Sequence, residues 1–258
     1  MKTKKKKIKK IMKIIPIILI TVSILVLLLT ACTVYYFEFT PEGYRMSVPY
    51  RSSFEEISDN VFFNKNYSGD TKAVLQMIDN AKDRNENFWG QLQFEDDTII
   101  IICDDNDLIS KLGGDHDTKT LFFPTKKNYM SISNEYCDID IFAHEMTHAE
   151  LHTRLTINAL NNIPTWFDEG LAVQNDYREQ YGSDAWKEQT DNGKNVIAVE
   201  DMDTPSEFYA GSKEDRQFRY LNAKHEVGEW IAIHKQEGLL ELIDKLNKGD
   251  DFISSYSK

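Results

Sequence analysis

Twenty-four consecutive residues, Ile14–Phe37, carry no charged side chain, and the thirteen before them hold eight lysines and no acid. That run constrains the chain more than any other feature, because a helix of about 20 apolar residues is long enough to cross a bilayer. A lysine cluster on its N-terminal flank is expected to stay cytoplasmic, which puts everything after Phe37 on the outer side. The charge balance then reads differently. The 258 residues hold 30 basic and 42 acidic groups, net −12. Without the eight leading lysines, residues 38–258 keep 22 basic against 42 acidic groups, net −20. So acidic a body lacks the basic footprint that neutralises phosphates, and nucleic acid is excluded as a partner.

Two readings of residues 1–37 stay open. The run can be a spanning helix, with Tyr35 and Tyr36 suited to the membrane–water interface. Alternatively, Leu29-Thr30-Ala31-Cys32 resembles a bacterial lipobox, in which Cys32 would receive a lipid. Either way the body is attached to a membrane and extracytoplasmic. The remaining cysteines, Cys103 and Cys137, could form a disulfide in such a compartment or be two buried thiols. No CxxC occurs, which argues against a cysteine-based metal or redox site.

Within the body, residues 38–69 are rich in turn formers (Pro41, Gly43, Pro49, Gly69) and predict short strands and loops. Ala73, Val74, Met77, Ile78 and Ala81 then fall at helical spacing, predicting a helix from Asp70 to Trp89. Residues 38–92 thus read as an N-terminal extension with one amphipathic helix. Thr98–Cys103 is a β-branched run that predicts a buried strand. Lys119–Phe123 and Tyr129–Ser133, divided by Pro124, are candidate strands near a sheet edge. Helices are expected at 138–156, 165–180, 215–235 and 237–247. Strands first and helices later suggest an α+β fold.

The chemistry concentrates in His144-Glu145-Met146-Thr147-His148. Histidines at i and i+4 share a helical face and can reach one metal ion, and Glu145 between them is placed to take a proton from a water. Ile139, Phe142, Ala143, Met146 and Ala149 form an apolar face on the same helix, which directs the histidines elsewhere. A catalytic zinc site takes three protein ligands and keeps one position open. Pro164-Thr165-Trp166-Phe167-Asp168-Glu169-Gly170-Leu171-Ala172 supplies the third, in a helical stretch that a proline break opens, with Thr165 as candidate N-cap. His152 reads as a solvated helix-end residue, and His116 and His234 as surface groups.

HExxH followed by WxxEGxA resembles the gluzincin zinc metallopeptidases, in particular the peptidase MA-like group of bacterial extracytoplasmic proteins. The resemblance covers roughly residues 98–252. It implies a thermolysin-like domain over residues 93–258, with a small mixed sheet, an active-site helix and a C-terminal helical lobe. It implies Zn2+ held by His144, His148 and Glu169, with Glu145 as catalytic base and a peptide or protein as substrate. Tyr220, with Ala223 following, matches the tyrosine that stabilises the oxyanion in related enzymes, with His225 as runner-up. Asp168 is a candidate partner for a ligand histidine, or itself a ligand. The metzincin extension is absent, since Leu151 and Arg154 stand where Gly and His are required. The aspartate that thermolysin-type ligand helices carry is also missing, its place taken by Val173. An extended substrate could pair with an edge strand near Asn128–Ser133. The expectation is a membrane-anchored zinc peptidase; the alternative is a non-catalytic binding or assembly protein on the same scaffold.

Overall fold

The computed structural model describes residues 2–122 and 126–257, with side chains from residue 15 onward. The lysine cluster's side chains and that of Ile14 therefore lie outside the described residues, as do Phe123 and Pro124. Helix α1 spans Lys2–Phe39, and its part Ile15–Phe39, of mean hydropathy 2.8, is long and apolar enough to cross a membrane. Membrane anchors and signal sequences share those properties.

No tether follows α1. Thr40 ends it and caps α2 (Pro41–Ser47): its hydroxyl donates to the Tyr36 carbonyl at 2.7 Å and accepts from the Gly43 N–H at 3.2 Å. Gly43 sits so close to α1 that a Cβ there would stand 2.2 Å from the Tyr36 carbonyl oxygen. Arg51 grips both Glu38 and the Phe37 carbonyl. Residues 41–47 were expected as loop or strand and are helix. Pro41 starts the helix, where no backbone N–H is needed, and Gly43 answers a close approach rather than a turn.

The strands β1 (Phe54–Ser58) and β2 (Val61–Asn64) follow, then α3 (Thr71–Trp89), capped by Asp70. Next come β3 (Thr98–Cys103), α4 (Asn106–Leu112), β4 (His116–Leu121) and β5 (Lys127–Ser133). Among the described residues the strands make one mixed sheet in the order β1-β2-β3-β5-β4. The pairs β2–β3 and β3–β5 are parallel, while β1–β2 and β4–β5 are antiparallel. Both strands of the 38–92 segment thus belong to the same sheet as Thr98–Cys103.

β3 is central, and its alternation divides the core. Ile100 and Ile102 face Ile78 of α3 and Phe142 and Met146 of the helix that carries His144 and His148; Ile99, Ile101 and Cys103 face Tyr44, Val48 and Leu112. The expected edge near Asn128–Ser133 is corrected: β5 pairs on both sides, and β4 is the outer strand. The polar sequence His-Asp-Thr-Lys-Thr of β4 suits an edge. Cys103 and Cys137 are both free and pack into different clusters.

Helices make up the remainder: α5 (Ile139–Arg154), α6 (Ile157–Leu160), α7 (Thr165–Ala172), α8 (Ser183–Gln189), α9 (Pro205–Phe208), α10 (Lys213–Asn247) and α11 (Phe252–Tyr256). The expected 165–180 helix stops at Ala172. Gln174 turns to the carbonyls of Gly170 and Lys224, and Asn175 donates to Asn85 and Thr147, so buried polar bonds replace the helical ladder. α10 breaks at Lys235, whose φ of 61° is left-handed, where the sequence divides 215–235 from 237–247. Trp166, Phe167, Leu171, Val227 and Trp230 fill the helical core.

Candidate metal centre

Asp138 caps α5 by accepting from the Asp140 N–H, and Phe142, Ala143, Met146 and Ala149 bury one face of it against the sheet, as their spacing predicts. His144 and His148 consequently project from the opposite side, into a cavity of about 730 Å³ between β4 and the helical lobe. Glu169 enters from α7. Pro164 is the N-cap of that helix; Thr165 lies inside it, its N–H given to the Asp203 carbonyl at 2.8 Å. Gly170 lets α7 lie against α10, and this brings Glu169 to the histidines.

Three donor atoms converge. His144 Nε2 and His148 Nε2 are 3.2 Å apart, and Glu169 Oε2 stands 3.6 Å and 3.5 Å from them. All three residues are buried, and among the described residues Glu169 Oε2 has no hydrogen-bond partner. A buried carboxylate oxygen facing two imidazole nitrogens is costly unless something cationic sits among them. Two neutral imidazole nitrogens and a carboxylate are also a donor set that zinc accepts, with room for a further ligand on the cavity side. The residues therefore fit a metal ion.

The surroundings orient these donors. His148 Nδ1 lies 2.7 Å from Asp168 Oδ1, which fixes the ring so that Nε2 points to the centre. Asp168 therefore stands behind His148 and not among the converging atoms. Its other oxygen is 2.9 Å from His152 Nε2, and His152 Nδ1 is 3.1 Å from the Thr120 hydroxyl of β4. His152 is thus largely buried in a chain of polar contacts, not solvated as expected. His144 Nδ1 points toward the fully buried Asp176, 3.9 Å away, which Arg178 clasps.

Charge settles accordingly. Burial works against the ionised carboxyls, but the facing histidines hold Asp168 and Glu169 well below the carboxylate range. Burial likewise opposes a charged His148, and Asp168 and Glu169 outweigh it and raise its pKa. Glu145 is drawn down to about 2, because His116, His144 and His148 overcome its burial.

His116 is exposed at the surface, as expected, and also lines the cavity, with Nδ1 3.3 Å from Glu145 Oε1; the hydrogen bond with Glu145 raises its pKa. Tyr220 lines the cavity, its ring 6.3 Å from that of His144. Tyr209, which no sequence signal singled out, donates its hydroxyl to Glu169 Oε1. Burial keeps both phenols neutral, well above the ordinary tyrosine range. His225 is not brought into this group: it stacks on Trp186 with 3.6 Å between ring centroids. His234 stacks on Trp230. No protein-family model matches the chain, and no curated protein matches it.

Proposed function

We propose that the chain is a zinc-dependent peptidase of gluzincin type. The observation that carries the reading is the convergence of His144, His148 and Glu169, with Glu145 in the same cavity and Glu169 Oε2 otherwise unpaired. His144, His148 and Glu169 would hold the ion, whose chemistry when bound is to polarise a scissile carbonyl and acidify a water. Glu145 accepts the proton of the attacking water and passes it to the leaving amine. Tyr220, neutral and on the cavity wall, donates to the oxygen on which negative charge develops. Asp168 keeps the His148 ring turned toward the centre. The outer side of β4 offers a strand edge to an extended peptide, with His116, Thr118 and Thr120 along the cavity. In this reading α1 is a membrane anchor and the body lies outside the cytoplasm.

Replacement of Glu145 by Gln tests this. The E145Q chain should keep one zinc per chain by elemental analysis and lose roughly 10²- to 10⁴-fold in hydrolysis of a peptide library. Cleavage at the unaltered rate would remove Glu145 as the base. A wild-type chain that binds zinc and cleaves no member of the library would instead favour the binding or assembly alternative.

A further inference from the structure

A second compartment of about 470 Å³ shares His116, His144, Glu145 and Tyr220 as lining residues with the main cavity. The two compartments differ in charge. The first is walled by Asp117, Glu145, Asp168, Glu169 and Asp203, with histidines and a single Lys or Arg, Lys119, among its lining residues. The second is walled by Arg178, Lys213 and Arg216, and Glu145 on the shared wall is the lone carboxylate among its lining residues. In a body of net −20 that grouping is against the general trend.

Two of these cations are uncommitted. Arg178 is neutralised by Asp176, its guanidinium held on both carboxylate oxygens at 2.5–3.1 Å. Among the described residues Lys213 and Arg216 have no carboxylate within 4 Å; Arg216 reaches only the Gly211 carbonyl, at 3.3 Å. Their placement follows from helical geometry. Lys213, Arg216, Gln217 and Tyr220 fall at i, i+3, i+4 and i+7 on the first turns of α10, so one face carries the two cations and the tyrosine into the cleft. The acids between them, Glu214 and Asp215, are not part of that wall. Asp215 caps its own helix through Ser212.

We propose that this compartment binds a carboxylate of the substrate, so that the cleft selects peptides with an anionic group on one side of the bond to be cut. The proposal rests on the peptidase reading above. The carboxylate can be a peptide's C-terminus or an Asp or Glu side chain, both of which a guanidinium and an ammonium would bind with charge-assisted hydrogen bonds.

The full chain, in detergent with one equivalent of Zn2+, is offered three pools of N-acetylated octapeptides built from neutral residues. One pool is amidated, one ends in a free carboxylate, and one is amidated with a single Glu placed at each position in turn. Mass spectrometry of the products should show one anionic pool cut about tenfold or more faster than the neutral pool, as expected for one or two charge-assisted contacts. The leading pool identifies the source of the carboxylate. In a K213Q/R216Q double variant the ratio of anionic to neutral rates should fall to about one. Equal rates for the three pools with the wild-type chain, or an unchanged ratio in a folded double variant, would overturn the proposal. Equilibrium binding of the same pools to the E145Q chain separates the two readings. Tighter binding of an anionic pool without cleavage by wild type removes the peptidase and keeps the compartment; uniform or absent binding removes the compartment.

Discussion

Gly170 lies against Ala223. A Cβ on Gly170 would stand 2.6 Å from the Ala223 carbonyl oxygen and 2.8 Å from Val227 Cγ2, so α7 and α10 meet at a distance only glycine permits. Glu169 precedes that contact by one residue, and its reach to the two histidines depends on it. Gly170→Ala should destabilise the body by about 1–3 kcal/mol, the usual cost of overpacking. The same change should loosen the metal. Thermal unfolding and a chelator competition would check the two effects; unchanged metal affinity would show that Glu169 is positioned independently.

Asp168 has a role that its neighbour's does not reveal. Its oxygens stand 2.7 Å from His148 Nδ1 and 2.9 Å from His152 Nε2. Asp168→Ala should therefore lower zinc affinity about 10- to 100-fold while leaving the one-to-one stoichiometry at saturating zinc. Unchanged zinc affinity would remove this role from Asp168.

The two cavity tyrosines should separate by kinetics. In the proposed mechanism Tyr220 donates only as charge develops, so Tyr220→Phe should reduce kcat by about 10²- to 10³-fold with little change in KM. Tyr209→Phe removes a bond to Glu169 and should act mainly on zinc affinity, by roughly tenfold. The opposite pattern would exchange their roles.

Burial pushes the thiols of Cys103 and Cys137 up, to about 11 and about 12. Both should react with iodoacetamide at pH 8 at least about a hundredfold more slowly in the folded chain than in urea, since the thiolate fraction falls tenfold per unit. The sign for stability follows. Below the ordinary thiol value of 9.0 the neutral form is common to folded and unfolded chains and the contribution is intact. As pH rises toward 11 and 12 the unfolded chain ionises first, and stability declines. A flat unfolding midpoint from pH 8 to 11 would contradict the assignment.

The sequence carried the centre of the site further than its walls. Histidines at i and i+4 need only a helix to meet, and the apolar face of α5 guaranteed the helix and its orientation. Glu169 was legible through its Trp-x-x-Glu-Gly-x-Ala setting. His116, Asp176 and Tyr209 were not, because they arrive from an edge strand and two irregular segments whose positions follow from tertiary packing and leave no periodic trace. Both strands beside Pro124 read as near an edge; β4 is the edge, and it covers β5 in space. α2 shows the converse error. Pro41 and Gly43 read as turn formers, whereas the proline opens a helix and the glycine admits the neighbouring one.

The union of α1 with α2 has a geometric meaning. A chain hung on a supple stalk samples every heading within its radius, but Thr40, Gly43 and Arg51 leave no stalk to bend. With α1 upright in a bilayer, the body would stand as on a mast, its cleft at one altitude and one bearing. For the peptidase proposed, choice among polypeptides would then begin with where each one stands above the lipid, before any of its side chains is read.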